Sequence, residues 1–261
     1  MQNRLQEVTE AIEQAGAELR HGYQAEQLYA LRVGMRRLRS MLKPIDSTRA
    51  RRFRKAWSGF ATVTNRARDW DVFLLASQEL LTAAQYAAFE RRHRDDFGAC
   101  HEAVVELVRS EHWRRPLADW RQYLQHPNGS AQESAQAADP LGQALTRARA
   151  ALANALALDT DRAWHKLRIA VKEVRYQAES EPLDAAIDPA GAELLEHCKL
   201  LQSLLGRWHD CVVQLQMLDE FEVAPEHGAL KSAIEQLRIE RLAAIEGTVA
   251  GHPLFEVTGN S

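Results

Sequence analysis

Apolar residues recur along this chain at every third or fourth position, with few interruptions. That spacing places them on one face of an α-helix, which turns once in about 3.6 residues. No sustained alternation of apolar and polar residues is found, so the pattern predicts an all-α protein. The predicted helices span 3–20, 24–43, 49–65, 69–81, 83–109, 114–125, 140–157, 161–179, 190–206, 209–222 and 227–247.

A stretch of linker composition interrupts the helical pattern near the middle of the chain. Residues 127–140 are rich in proline, glycine, serine and glutamine, which suit a connection better than a helix. We therefore expect one domain, 1–261, made of a first helical half at 1–126 and a second at 141–247. The final residues, 248–261, form a tail that we expect to be loosely ordered.

Each predicted half contains one strongly basic helix. The segment Leu28–Arg39 returns as Trp164–Arg175 after a shift of 136 positions, so that Arg32 falls on Arg168. In both copies the cations follow the core residues by one position, about 100° around the helix. The basic stripe therefore borders the apolar stripe, and we expect it to line a groove between helices. A solvated helix face is the alternative for either copy taken alone.

A second repeated element follows each basic helix. Residues 66–72 resemble residues 207–213, with a basic residue before an aspartate in both. We expect Asp69 and Asp210 to cap the starts of helices, because aspartate accepts hydrogen bonds from free backbone N–H groups. Arg68 and His209, just before them, are then the better ligand candidates. The histidines outside these motifs, His101 among them, show no convincing pairing and are expected to be structural or at the surface.

Charge is distributed unevenly along the chain. The net charge is −3, yet Arg20–Trp70 holds 13 lysines and arginines against 3 acidic residues, whereas Tyr176 to the end holds 5 against 15. Such asymmetry favours an anionic ligand on one surface and disfavours a general nucleic-acid coat. The three cysteines form no CxxC pair, and no apolar run approaches the length of a membrane span. We therefore expect a reduced, cytoplasmic setting.

Two basic helices, each followed by an Arg-Asp or His-Asp segment, resemble the CHAD family of conserved-histidine α-helical domains. The resemblance implies two similar helical-bundle halves around a central basic cavity. It also implies non-catalytic binding of inorganic polyphosphate, with no cofactor or metal, and in some members an association with polyphosphate granules.

The resemblance implies that the residues of these motifs bind polyphosphate. We add the neighbouring basic cluster at 51–55, because it extends the positive electrostatic field. The set comprises Tyr29, Arg32, Arg36, Arg37, Arg39, Lys43, Arg51, Arg52, Lys55, Arg66, Arg68, His165, Arg168, Lys172, Arg175, Arg207 and His209. Two positions depart from the family pattern. Tyr29 replaces a histidine and cannot become cationic, although it can hydrogen-bond a phosphate oxygen. Glu173 replaces a basic residue and opposes an anion unless it faces solvent or pairs with an arginine.

Three other functions compete with this interpretation. A metal-dependent phosphohydrolase would use His165, His209 and Asp210, with Asp219, since imidazole and carboxylate both bind divalent metals. The surrounding arginines would repel such a cation, and the sequence carries none of the common hydrolase motifs. A nucleic-acid-binding helical protein would need stacking aromatics between the cations, where aliphatic residues are found instead. A helical adaptor that recognises acidic proteins is the third alternative.

Overall fold

The computed structural model describes residues 2–43, 45, 47–125, 140–180, 189–222 and 224–250. These residues form ten α-helices, which confirms the predicted all-α fold. The helices are α1 (Gln2–His21), α2 (Ala25–Met41), α3 (Thr48–Val63), α4 (Asn65–Leu80), α5 (Ala83–Arg109), α6 (Glu111–Gln125), α7 (Pro140–Leu158), α8 (Asp161–Ser180), α9 (Pro189–Asp219) and α10 (Pro225–Val249).

The first compact unit, Met1–Gln136, contains α1 to α6. Helix α1 packs against α2 and α5, while α4 packs against α5 and α2. Every residue of the predicted apolar stripe on α2 is buried, namely Leu28, Leu31, Met35, Leu38 and, just after the helix, Leu42. Burial of this stripe fixes the rotation of α2, and therefore the direction of the basic stripe beside it.

Local sequence signals begin two helices of this unit. The Ser47 side chain accepts a hydrogen bond from the Ala50 amide (3.0 Å) at the start of α3. Thr82 and Gln85 form a reciprocal capping box at the start of α5. Both arrangements satisfy backbone N–H groups that a helix leaves open in its first turn.

The second compact unit, Ala137–Ser261, contains α7 to α10, with α8 packed between α7 and α9. The predicted apolar stripe of α8 is again buried, including Trp164, Leu167, Val171 and Val174. Helix α10 packs along α9 and adds Ile245 and Val249 to the core of this unit.

One continuous helix, α9, replaces the two helices predicted at 190–206 and 209–222. The predicted break was wrong because buried residues continue at helical spacing across it, from Leu201 and Leu205 to Trp208 and Val212. Their packing outweighs the cost of about 1 kcal/mol for glycine in a helix interior. Gly206 therefore does not end the helix.

The capping roles expected for Asp69 and Asp210 were also wrong. Helix α4 begins after Thr64, so Asp69 lies beyond its first turn, and Asp210 lies inside α9. Thr64 is both the C-cap of α3 and the N-cap of α4. The capping position of α4 is therefore occupied by Thr64 and not by Asp69.

Several expectations fall outside the described residues. The predicted linker at 127–140 does so except for Pro140, and so does the tail from residue 251 onward. Helix α10 extends two residues into the region predicted as tail, to Val249. The central cavity expected between the halves stays a prediction. Across the described part of the chain, no helix has both the length and the apolar character that crossing a membrane requires.

The close contact of α1 and α2 gives the first testable prediction. A Cβ atom at the buried Gly34 would lie 2.6 Å from Cγ1 of Ile12, whereas one at the exposed Gly59 would meet nothing within 4 Å. We expect Gly34→Ala to lower the free energy of unfolding by about 1–3 kcal/mol through overpacking. Gly59→Ala should raise it by about 0.5–1 kcal/mol. Denaturant unfolding of both variants measures the difference, and equal stabilities would contradict the close packing.

Candidate functional site

The basic flank of α2 offers three arginines whose side chains have no partner among the described residues. Arg36 and Arg37 are exposed and Arg39 is half-buried. No hydrogen bond or ion pair joins Arg36, Arg37 or Arg39 to another described residue. Their guanidinium groups are therefore available to an anion, for which arginine provides two parallel donors.

Arg32, on the same stripe, has a structural contact that the sequence did not indicate. Its Nη1 donates to the Ala61 carbonyl (3.0 Å) and to Thr64 Oγ1 (2.8 Å), and its Nη2 donates to Asn65 Oδ1 (2.8 Å). Burial lowers the pKa of Arg32, while the nearby Asp69 acts in the opposite direction. Arg32 thus fastens α2 to the turn between α3 and α4 and positions the start of α4.

Helix α4 places Arg68 beside the stripe of α2. The Arg68 guanidinium lies 5.1 Å from the centre of the Tyr29 ring, close enough for a cation–π interaction. On its other side, Arg68 Nη1 is 3.8 Å from Oδ2 of Asp71. Arg66, also on α4, is half-buried and acts electrostatically on Asp69. The pair Tyr29 and Arg68 therefore joins the two predicted basic motifs of the first half.

A buried carboxylate behind Arg68 was missed by sequence reasoning. The Tyr23 hydroxyl donates to Asp71 Oδ1 (2.7 Å), and His101 Nε2 lies 3.4 Å from the same oxygen. The Tyr23 and His101 rings stack with their centres 3.6 Å apart. Burial and the hydrogen bond to Asp71 raise the pKa of Tyr23. His101 is therefore paired after all, and with Arg68 this group lines an open cavity of about 550 Å³.

The basic cluster of α3 is exposed and partly engaged with its own surroundings. Arg52 Nη2 lies 3.3 Å from Asp119 Oδ2 on α6, and Arg51 Nη2 donates to Thr48 Oγ1 at 3.4 Å. Lys55 is exposed, and so is Lys43 just beyond α2. The contact with Asp119 turns Arg52 toward α6, which weakens its case as a ligand.

In the second unit, two histidines come together between α8 and α9. The ring centres of His165 and His209 are 4.7 Å apart. Burial, with Arg168 next in importance, lowers the pKa of His165, and the same causes lower the pKa of His209 to about 4. Lys172 acts on both rings in the same direction. Both imidazoles are therefore neutral at pH 7, inside a cluster of cations.

Glu173 and Arg175 are both held by neighbouring residues. Glu173 Oε1 lies 3.2 Å from Arg147 Nη2 on α7, so this departure from the family pattern is paired with an arginine. Arg175 Nε is 3.6 Å from Glu179, and the guanidinium lies over the Tyr176 ring at 4.9 Å.

Helix α10 contacts the second basic motif through the backbone of Arg207. The Arg207 side chain is exposed, while its carbonyl accepts a hydrogen bond from Arg241 Nη1 (2.7 Å). This bond fixes the backbone one turn before Cys211, whose Sγ contacts the same arginine.

Two positions that correspond between the sequence repeats are in contact in each unit. Alignment of the repeats places Tyr29 on His165 and Arg68 on His209. The structure brings the first pair within cation–π distance and the second within ring contact. The internal repeat seen in the sequence is thus matched by an equivalent contact in each unit.

Residues 3–219 match the CHAD domain family, which is most of the chain. The chain belongs to the CHAD-domain family. CHAD domains are associated with polyphosphate binding in general, and they are generally non-catalytic binding domains. The match ends at the last residue of α9, so α10 lies beyond it.

Two solved structures have a similar fold. The CHAD domain from the plant Ricinus communis is 24% identical, with a TM-score of 0.63 over 94% of this chain and 88% of the plant chain. PptA from Streptomyces chartreusis is 19% identical, with a TM-score of 0.60 over 94% of this chain and 93% of its own. No curated protein matches the sequence.

The metal-dependent alternative finds little support in this CHAD domain. Within the ranges that the structure describes, no three histidine, cysteine or acidic side chains cluster as a metal site requires. Asp219 instead forms an ion pair with Lys231 (2.6 Å). The charges that act on His165 and His209 are cationic, which disfavours a divalent metal beside them.

The lowered pKa of His209 predicts acid sensitivity of the free protein. Between the ordinary pKa of histidine, about 6.5, and the folded value of about 4, the unfolded chain binds more protons than the folded one. Stability should therefore fall as the pH falls through this window, by on the order of 1 kcal/mol at pH 5 for this half-buried group. Denaturant unfolding at pH 7 and pH 5 tests this. His209→Gln should reduce the loss and the exposed His21→Gln should not; an identical loss in all three proteins would refute the assignment.

Proposed function

We propose that this CHAD domain binds inorganic polyphosphate, or a similar phosphate-rich polyanion, without catalysing a reaction. One observation carries the proposal. In each unit, a residue of the basic helix contacts a residue of the second basic motif, and the cations of that helix lie beside this contact pair. These pairs are Tyr29 with Arg68 and His165 with His209. A repeated contact of this kind is more than a solvated helix face requires.

The spacing of the cations suits a linear polyanion. Polyphosphate carries about one charge per phosphate and has no bases to distinguish, so its recognition requires cations at regular intervals. Residues 32, 36, 39 and 43 extend over roughly 16 Å of helix axis at about 1.5 Å per residue. Since Arg32 is held by the α3–α4 turn, we assign the direct contacts of this stripe to Arg36, Arg37 and Arg39.

The uneven charge distribution supports the same ligand class. The overall net charge is −3, so attraction to polyanions comes from the local basic surfaces and not from the whole molecule. On the family resemblance we further propose that the protein meets its ligand in the cytoplasm, including at polyphosphate granules. Co-purification with isolated granules would test this part.

Charge reversal on α2 tests the proposed contacts. We expect Arg36→Glu/Arg39→Glu to weaken binding of long-chain polyphosphate by about tenfold or more, because two charge-assisted phosphate contacts are lost and two repulsions are added. Lys172→Glu applies the same test to the second unit. The matched control is Arg91→Glu/Arg94→Glu, which reverses two exposed charges on α5. Titration calorimetry gives the affinities, and equal affinity of all four proteins would refute the proposal.

Salt dependence tests whether many cations act together. If four phosphate contacts form, a slope of about −0.7 per contact predicts that affinity falls about 50-fold between roughly 50 and 200 mM salt. The measurement is a binding titration at several salt concentrations, with single-stranded DNA of equal charge as a competitor. A flat salt response would contradict a site made of several cations, and stronger binding of the DNA would favour the nucleic-acid alternative.

A further inference from the structure

The contact pairs of the two units differ in chemistry. In the first unit the pair is Tyr29, which is neutral, with Arg68, which is charged at every relevant pH. In the second unit the equivalent pair is His165 with His209, and both members can gain a proton. Equivalent positions therefore have a fixed charge in one unit and a variable charge in the other.

Within the described part of the chain, one nitrogen of each imidazole ring is left without a partner. The Nδ1 atoms of His165 and His209 are buried and, among the residues that the structure describes, have no hydrogen-bond partner. An imidazolium at either position would leave a buried N–H group without an acceptor, which is costly.

Burial, together with the cations of α8, keeps both rings neutral. On α8, Arg168 and Lys172 oppose protonation of each ring, and His165 also opposes protonation of His209. Burial raises the pKa of the Cys211 thiol, and Asp210, next to His209 on α9, acts in the same direction. The charged groups of the helices packed on either side have contacts of their own: Arg147 of α7 with Glu173, Arg238 of α10 with Asp161, and Arg241 of α10 with Arg207 and Cys211.

We propose that the second unit takes up protons when it binds a phosphate chain: phosphoryl oxygens approach the His165–His209 pair, and the imidazoles become charged donors to them. The inference rests on the proposed function and adds its regulation by pH. The protons come from solvent and no covalent bond changes. A phosphate group beside the pair supplies the negative charge that favours protonated rings, and Arg168 and Lys172 attract the same anion.

The sign of the linkage follows from these pKa values. Anion binding raises the histidine pKa from its lowered value in the free protein, so the complex holds more protons than the free protein and forms more readily at low pH. If binding restores even one histidine to a pKa of about 6.5, affinity at pH 5.5 should be about tenfold higher than at pH 8. The Tyr29–Arg68 pair contributes nothing to this change.

The experiment measures binding of long-chain polyphosphate by calorimetry at pH 5.5, 6 and 8. Long chains are used because terminal phosphates titrate near pH 6 and are then a small fraction of the ligand. Repetition at pH 6 in two buffers of different ionisation enthalpy gives the number of protons taken up, expected to be about 0.75 per bound protein if one histidine titrates from about 4 to about 6.5.

A double substitution that gives the second unit the residue pair of the first provides the matched variant. His165→Tyr/His209→Arg installs the pair of the first unit in the second, so it should bind polyphosphate with little pH dependence and almost no proton uptake. His209→Gln is the milder variant in case the swap does not fold, as judged by circular dichroism, and it should reduce proton uptake. His101→Gln removes the histidine near Asp71 and should leave the pH dependence as in the unmodified protein.

The outcomes separate this inference from the proposed function. Polyphosphate binding with equal affinity at all three pH values and no proton uptake would overturn the inference and leave the function standing. Unchanged proton uptake in both His209 variants would overturn it as well. Absence of polyphosphate binding at every pH would overturn the proposed function and the inference with it.

Discussion

The angle between two stripes on a helix is the constraint on which the candidate site depends. Cations that follow core residues by one position lie about 100° from the buried face, at the border of the groove with the next helix. Burial of Leu28 through Leu42 on the first basic helix, and of Trp164 through Val174 on the second, therefore directs the neighbouring charges. The site residues need no special backbone geometry, because the hydrophobic core holds them in place.

The two units differ in the chemistry of a similar contact. Both keep a contact between the basic helix and the motif that follows it, but the first uses tyrosine and arginine where the second uses two histidines. The first unit also holds Asp71 behind its arginine, at a position where the second has the apolar Val212. A shared scaffold thus carries surfaces of different electrostatic character.

Local and periodic features of the sequence were sufficient to predict the all-α fold and both buried stripes, whereas the contacts of Tyr29 with Arg68 and of His165 with His209 were not predicted. The break in α9 was mispredicted because Gly206 is a weak local signal, whereas the buried residues around it act through tertiary packing. The hydrogen bonds of Arg32 and the approach of His101 to Asp71 join residues about 30 positions apart. No pattern in a single sequence marks such contacts, since they depend on how helices are placed in three dimensions.

Helix α10 has a consequence for how the family is delimited. The family match stops at residue 219, yet Ile245 and Val249 lie in the core of the second unit and Arg241 holds the backbone at Arg207. A protein shortened to the matched segment would leave the apolar side of α9 open to water. The packed second unit of this CHAD domain therefore extends beyond the matched segment and includes α10.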